Sequence, residues 1–263
     1  MKNFCLLLCL FLCINIASGA EKSDSTRVLF IGNSYTYYND MPVTLQKLAS
    51  SLPTAERLNI AFRKFTPGGC TLRKHAANRE LLDAIAEGGW DYVVIQEQSS
   101  APARHSLSVA AGTYPYAHLL DSLVMAANPA AHVIFYMTWG HKDGCQPEHD
   151  GYPLIDDYEG MQARLATSYL EMAYDNDAWC APVGLAWRRV RQERPFVSLY
   201  TPDRSHPSRT GSYLAANVIL STILQKPYQS SYSDGLDPEL CEYIQSVAQQ
   251  TVLANLRMLN IAR

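Results

Sequence analysis

The chain has 263 residues and a formal net charge of −3 at pH 7, and 48 % of its residues are hydrophobic. That composition is ordinary for a globular protein with a full core. Because the charge balance is slightly acidic rather than basic, we do not expect nucleic acid as a partner.

The beginning of the chain has the pattern of a secretory signal peptide. Lys2 is followed by an apolar run at 4–16 and by small residues at 17–20. The run is short for a membrane span, and no later stretch is long and apolar enough to be one. We therefore expect residues 1–20 to be removed and residues 21–263 to form one domain. The domain is expected to be exported, to the periplasm or the extracellular space, without stable membrane insertion.

Four cysteines remain after the expected cleavage: Cys70, Cys145, Cys180 and Cys241. An even number in an exported protein permits disulfides, with three possible pairings. A domain of this size does not need them, so buried free thiols are equally compatible with the sequence.

Apolar runs alternate with helical periodicity along the rest of the chain. We predict strands at about 27–31, 59–65, 90–96, 132–138 and 179–184. We predict helices at about 42–51, 72–86, 113–127, 156–174 and 207–224, and a last helix that opens at Asp237-Pro238. This alternation predicts an α/β fold: a three-layer α/β/α sandwich around a parallel sheet of about five strands.

Ligands of such sheets bind beyond the carboxyl ends of the strands. Four positions or segments follow strand ends directly: Ser34, Gln96, Gln98 and residues 138–141. Each is therefore a candidate functional position.

Ser34, in the segment "FIGNSYT", has three possible roles. A phosphate-binding loop would need more glycine or a Lys-Ser/Thr pair, and neither is present. Ser34 or Asn33 would also suit the N-cap of the next helix. A nucleophilic serine needs a histidine base, which in turn needs an orienting group.

His206 has the most suitable context for that base. Asp203 lies three residues before it and Pro207 directly after it. The carboxylate can hold one ring nitrogen of His206 while the other nitrogen faces the serine. The other candidates fit less well. We expect His75, His105 and His118 at the surface and His132 at the far edge of the sheet.

These residues resemble the motifs of the SGNH (GDSL-like) hydrolases. Gly32-Asn33-Ser34 is similar to the family's nucleophile segment after the first strand, and Asp203–His206 is similar to its last motif. Gly69, in "TPGGCTL", best matches the glycine that donates an N–H to the oxyanion. The usual Gly-x-Asn-Asp motif is replaced by "VVIQEQSS", so Gln96 or Gln98 takes the place of its asparagine.

The resemblance implies a flavodoxin-like sheet and an exported serine esterase that needs no cofactor or metal. The implied catalytic residues are Ser34, Asp203 and His206. The oxyanion hole would consist of Ser34, Gly69 and either Gln96 or Gln98. The expected substrate is a small-molecule or carbohydrate ester with a small acyl group, acetyl above all. Two alternatives remain: a lipase or thioesterase for longer acyl chains, and a non-catalytic carbohydrate-binding protein on a degenerate hydrolase fold.

Two further groups of residues are candidates for substrate binding. Tyr35 and Trp139, with neighbouring tyrosines, would form a platform for a sugar ring or else pack the first helix. His141 opens a polar loop whose side chains are of metal-ligand type: His141, Asp143, Cys145, Glu148, His149 and Asp150. Their spacing matches no zinc pattern, so a solvated loop is the simpler interpretation, with His141 lining the substrate pocket.

Overall fold

The parallel sheet predicted from the sequence is present, with five strands. The computed structural model describes residues 25–145 and 155–262. The predicted signal peptide at 1–20 lies outside these residues, as do Glu148, His149 and Asp150 of the polar loop. The strands are β1 (Thr26–Ile31), β2 (Ile60–Phe65), β3 (Tyr92–Ile95), β4 (His132–Tyr136) and β5 (Trp179–Ala181).

All strand pairs are parallel, and the strand order is β2-β1-β3-β4-β5. This is the flavodoxin-like order, and the predicted fold is confirmed. The apolar residues of β1 and β3 are buried, because helices cover both faces of the sheet. β1 lies inside the sheet between β2 and β3, so Ser34 follows an interior strand at the carboxyl edge of the sheet.

The described residues contain ten α-helices in the following order: α1 (Ser34–Tyr37), α2 (Met41–Ser50), α3 (Leu72–His75), α4 (Arg79–Glu87), α5 (Ser106–Gly112), α6 (Tyr114–Ala127), α7 (Tyr158–Asp175), α8 (Val183–Glu193), α9 (Arg209–Leu224) and α10 (Pro238–Leu253). Helix α9 packs against α2, α8 and α10, and nearly all of its residues are buried. Among the residues described, no helix has the length and apolar character needed to cross a bilayer.

Two features of the helices differ from the sequence prediction. The helix expected at 72–86 is two helices, because the side chain of Asn78 accepts a hydrogen bond from the N–H of Leu81 and starts α4 anew. Helices α5 and α8 were not predicted. The basic segment 188–194 forms the second half of α8 and the residue after it.

The four described cysteines are free thiols, and all four are buried. Burial raises the pKa of the Cys145 thiol to about 11, so this group stays protonated at neutral pH. Of the two possibilities left open by the sequence, the structure has the buried thiols.

Candidate active site

The segment after β1 is a sharp turn into helix α1. The side chain of Asn33, not that of Ser34, caps this helix: its Oδ1 accepts a hydrogen bond from the N–H of Tyr35 at 3.2 Å. A side chain on Gly32 would collide with Thr36 and Gln96, so the turn requires glycine there. Ser34 is consequently left free of the capping role.

The hydroxyl of Ser34 is the first member of a chain of three hydrogen-bonded groups. Its Oγ lies 2.9 Å from Nε2 of His206. On the other side of the ring, Nδ1 of His206 lies 2.6 Å from Oδ2 of Asp203. With the proton on Nδ1, the ring donates to Asp203 and accepts from Ser34, which is the arrangement of a nucleophile, a base and an orienting acid.

The segment 200–206 holds this arrangement by its own hydrogen bonds. Tyr200 and Pro207 form an antiparallel bridge, and Thr201 donates its N–H to the carbonyl of His206 at 2.9 Å. Oδ1 of Asp203 accepts from the N–H groups of Ser205 and His206, each at 2.9 Å, and from the hydroxyl of Thr201 at 2.8 Å. Partial burial raises the pKa of Asp203, but these donors outweigh it and hold the pKa well below the usual range of a carboxyl.

Further contacts join the start of α9 to the turn after α1. Asn39, at φ +52°, donates from Nδ2 to the carbonyl of Pro207 at 3.0 Å and to the hydroxyl of Ser212 at 2.9 Å. Ser212 in turn donates to the carbonyl of Tyr38 at 3.2 Å. The start of α9 is thereby fixed to the segment that follows Ser34.

Aromatic rings pack around His206 and behind it. The ring of Tyr38 is stacked on the imidazole at 4.4 Å, with 16° between the planes. Tyr35 is stacked on Trp139 at 4.5 Å, and Trp139 is stacked on Trp187 at 3.9 Å. Tyr38 therefore limits the rotation of the imidazole, while the other three rings form a support beneath the loop.

Trp139 does not contact substrate as the sequence suggested. Its side chain is 0 % exposed, and its Nε1–H donates to the carbonyl of Ser205 at 3.0 Å. The expectation for Trp139 is therefore corrected: it is a support for the loop of His206. Tyr35 is also buried, but it lines the cavity beside Ser34, and its hydroxyl lies 2.6 Å from Oγ of Ser205.

A small cavity of about 180 Å³ opens at Ser34. The residues that line it are Asn33, Ser34, Tyr35, Gly69, Gln98, Ser99, Ser205 and His206. No aliphatic side chain is among them. Gly69 has φ +64°, a conformation that favours glycine, and the space beside its Cα is open. Within the described residues, the N–H groups of Ser34 and Gly69 have no hydrogen-bond partner.

The two glutamines expected near the oxyanion have different positions. Gln96 is fully buried: its Oε1 accepts from the N–H of Asn33 at 3.0 Å, and its Nε2 donates to Oδ1 of Asn33 at 3.0 Å. Gln98 is half-buried and lines the cavity. Its Oε1 is fixed by three donors from Ser100 and Ala101, and its Nε2 donates to Ser99 at 3.2 Å. Gln98 therefore has the better position for the oxyanion, whereas Gln96 holds the turn of Ser34.

His141 lies behind one wall of the cavity. Its Nε2 is 3.3 Å from Oγ of Ser99, and its Nδ1 is 3.6 Å from Sγ of Cys145. Contact between His141 and a substrate stays a prediction. In the part of the chain that the structure describes, no three His, Cys, Asp or Glu side chains lie close enough to hold a metal ion.

Sequence reasoning missed two buried groups under the site. His75 was expected at the surface, as were His105, which is half-buried, and His118, which is exposed. Instead His75 is fully buried and donates from Nε2 to the carbonyl of Gly32 at 2.7 Å, and burial lowers the pKa of its ring. Glu97 is also buried. His75 follows Leu72 by three positions, which puts both on one helix face, and this spacing was the available signal for His75.

No family model and no curated protein matches this chain. Several solved structures are similar to it. A candidate SGNH hydrolase from Slackia heliotrinireducens is 30 % identical with a TM-score of 0.60, over 76 % of this chain and 99 % of that protein. A DUF4886 family protein from Bacteroides uniformis is 19 % identical with a TM-score of 0.66, over 88 % of this chain and 95 % of that one. A catalytic mutant of an acetylxylan esterase from Geobacillus stearothermophilus is 19 % identical with a TM-score of 0.55, over 82 % and 99 % of the two chains.

The second and third likenesses concern the fold alone. The first is stronger, because it combines sequence identity with nearly the full length of the related protein. In the present chain, the glycine-containing turn after β1 carries a serine within hydrogen-bond distance of a histidine near the carboxyl end. The protein belongs to the SGNH hydrolases.

Proposed function

We propose that the protein is a serine esterase that hydrolyses esters of small acyl groups through an acyl-enzyme on Ser34. The observation that carries the proposal is the unbroken chain from Ser34 Oγ to His206 Nε2 at 2.9 Å and from His206 Nδ1 to Asp203 at 2.6 Å. An unassisted serine hydroxyl is a weak nucleophile at neutral pH, and this chain supplies the base that it needs.

In the first half of the reaction, Oγ of Ser34 attacks the ester carbonyl carbon while Nε2 of His206 accepts the hydroxyl proton. The N–H groups of Ser34 and Gly69, with Nε2 of Gln98, stabilise the negative charge on the carbonyl oxygen. The intermediate collapses, the carbon–oxygen bond to the alcohol breaks, and His206 gives its proton to the departing alcohol.

In the second half, water attacks the acyl-enzyme. His206 accepts a proton from the water, and a second tetrahedral intermediate forms at the same carbon. Its collapse breaks the bond to Ser34, whose oxygen recovers the proton from His206. Throughout, the ionised Asp203 stabilises the positive charge that develops on the imidazole.

The cavity supports a small acyl group over a long one. A volume of about 180 Å³ with a polar lining suits an acetyl group. A long acyl chain would need an apolar channel, because its methylene groups gain free energy only when they leave water for an apolar surface. This argues against the alternative of a lipase or long-chain thioesterase.

Carbohydrate is the proposed alcohol component. Tyr37 is 37 % exposed and its ring lies 5.5 Å from that of Tyr38, which itself stacks on His206. Such a surface beside the base suits the apolar face of a sugar ring. The fold shared with an acetylxylan esterase is consistent with this substrate class. Export through the segment 1–20 is part of the same proposal.

The test is Ser34→Ala with an aryl acetate and with a fluorophosphonate that labels active serines. We expect hydrolysis by the wild type and labelling of Ser34, and loss of both in the variant. Hydrolysis that survives in Ser34→Ala would contradict the mechanism. Absence of labelling in the wild type would favour a non-catalytic carbohydrate-binding protein.

The substrate class needs a separate comparison. We expect acetate esters to react faster than butyrate esters and far faster than palmitate esters, and acetylated oligosaccharides to release acetate. A preference for palmitate would refute the small-acyl assignment without affecting that of Ser34.

A further inference from the structure

Glu97, at the carboxyl end of β3, has a buried carboxyl group to which the mechanism above assigns no role. Only 1 % of the residue is exposed. One carboxyl oxygen, Oε1, accepts two backbone hydrogen bonds, from the N–H of Leu72 at 3.0 Å and from the N–H of Gln98 at 2.6 Å. Within the described residues, the other oxygen has no hydrogen-bond partner.

The two N–H groups belong to the two segments that carry proposed oxyanion donors. Leu72 is the first residue of α3 and follows Gly69 by three positions. Gln98 presents its own side chain to the cavity. One oxygen atom of Glu97 therefore ties the segment of Gly69 directly to the backbone of Gln98.

Two further side-chain contacts join residues 69–75 to the turn of Ser34. One is the contact of His75 in α3 with the carbonyl of Gly32. In the other, Asn33 donates from Nδ2 to the carbonyl of Cys70 at 2.9 Å, which fixes the segment to the turn of Ser34. Asn33 therefore sets the distance from Gly69 to the nucleophile, and Glu97 sets the distance from Gly69 to Gln98. Both contacts act on segments that line the cavity at Ser34.

Burying a carboxyl group to make these two hydrogen bonds costs free energy of desolvation. Burial raises the pKa of Glu97 to about 7, although hydrogen bonds from Gln98 and Leu72 and the charge of Arg104 act in the opposite direction. Its unpartnered oxygen adds a further cost of desolvation. A group of this length with an acceptor at its end is, however, what two converging N–H donors on separate segments require.

We propose that Glu97 is a positioning residue, which sets the spacing between the Gly69 N–H and the Gln98 amide that receive the oxyanion. The inference rests on the proposed ester hydrolysis at Ser34. It predicts that the reach of the side chain, not its charge, decides catalysis.

Three variants separate reach from charge. Glu97→Gln keeps an acceptor oxygen at the same reach and removes the charge. Glu97→Asp keeps the charge but is one methylene too short to serve both N–H groups. Leu72→Pro removes the N–H at the other end of the contact, at a first helical position that suits the proline backbone. Because the side chain of Leu72 is fully buried, this variant is compared with Leu72→Ala, which keeps the N–H.

Asn128→Ala is the matched control. Asn128 is buried and accepts from the N–H of Trp90 at 3.0 Å, just before β3 begins at the opposite end of that strand. Its loss removes a similar side-chain-to-backbone bond far from the cavity. A purely structural effect of the Glu97 variants would therefore resemble that of Asn128→Ala.

The measurements are kcat and KM for an aryl acetate, per serine labelled by the fluorophosphonate. We expect kcat to fall by about 10- to 100-fold in Glu97→Asp and in Leu72→Pro, with KM changed by less than about threefold. Glu97→Gln is expected to stay within about threefold of the wild type, as does Asn128→Ala.

The proposal is overturned if kcat per labelled site in Glu97→Asp and Leu72→Pro equals that of Asn128→Ala. It is equally overturned if Glu97→Gln loses as much as Glu97→Asp, since charge would then be responsible. If Glu97→Asp does not fold, Leu72→Pro and Glu97→Gln decide the question. A wild type that hydrolyses no ester would instead refute the proposed function itself.

Discussion

The segment 200–206 and the buried side chains beneath the turn of Ser34 serve the same serine by different physical means. The residues of the segment are exposed or half-buried, and hydrogen bonds within a few residues of chain, centred on Asp203, hold His206. The buried layer consists of the side chains of His75, Gln96 and Glu97. Each of them has a hydrogen-bond partner that lies 25 to 63 residues away in the sequence. We therefore expect substitution of His206 to affect folding little and substitution of His75 in the buried layer to destabilise the fold.

The largest effect is expected from His206→Ala. The rate of ester hydrolysis should fall by about 10⁴-fold or more, because the nucleophile loses its base. The free energy of unfolding should change by about 1 kcal/mol or less, since the residue is partly exposed. His118→Ala, at an exposed histidine far from the site, is the control and should leave both quantities unchanged. A retained rate in His206→Ala would contradict the catalytic assignment.

His75→Ala should show the reverse pattern. Removing a fully buried ring and its hydrogen bond to Gly32 leaves a cavity and an unpaired carbonyl, at a cost of about 3 kcal/mol in the free energy of unfolding. Urea unfolding measures this cost. The rate per folded molecule should fall far less than in His206→Ala, and an unchanged stability would show that the buried layer does not support the turn.

His75 and Glu97 should change the free energy of unfolding with pH in opposite directions. Burial lowers the pKa of His75, so the unfolded chain binds the extra proton and stability decreases as the pH falls below about 6.5. Burial raises the pKa of Glu97 from 4.5 to about 7, so the folded protein binds the extra proton in that interval and stability decreases as the pH rises through it. The two slopes oppose each other as the pH falls below about 6.5.

When one of the two groups is removed, the free energy of unfolding should vary with pH as the remaining group dictates. Glu97→Gln should make stability increase with pH between 4.5 and 7 relative to the wild type, by up to about 3 kcal/mol over the interval. His75→Ala should make stability decrease with pH there. Urea unfolding at several pH values gives both slopes, and parallel curves for the wild type and Glu97→Gln would disprove the buried titration.

The smallest effect concerns Tyr38, which lies between the two regions. Its stacking on His206 at 4.4 Å should contribute about 0.5–1 kcal/mol to the placement of the ring. We therefore expect Tyr38→Ala to lower kcat for an aryl acetate roughly two- to fivefold. Tyr37→Ala should leave that rate unchanged but weaken the hydrolysis of acetylated oligosaccharides if Tyr37 contacts the sugar.

The fold was predictable from local patterns, since each buried strand is a continuous apolar run followed by a turn. The positions of Ser34 and His206 were predictable for a similar reason: both lie in short segments whose chemistry is visible in the residues themselves. The side chains under the turn were not. His75 stands next to Arg73 and Lys74, and its role depends on the carbonyl of Gly32, which is 43 residues distant.

The two glutamines show the same limit more sharply. Gln96 and Gln98 are two residues apart and chemically identical, so no sequence pattern tells which one faces the substrate. The pleat of the strand end and the position of Asn33 determine which one faces the cavity. Both amide atoms of the Gln96 side chain are hydrogen-bonded to Asn33. Trp139 was misassigned for a related reason, because a loop residue after a strand can turn inward as readily as outward.

The contact between Asn39 and the start of α9 has a consequence for the order of events during synthesis. Ser34 precedes His206 by 172 residues, and Asn39 reaches Pro207 and Ser212 only after those residues exist. At roughly 5–20 residues per second, a ribosome needs roughly 10–35 s to bridge that interval. Throughout that time the nascent chain carries its nucleophile without a base, so hydrolytic competence is acquired late and only by molecules whose distant segments have met.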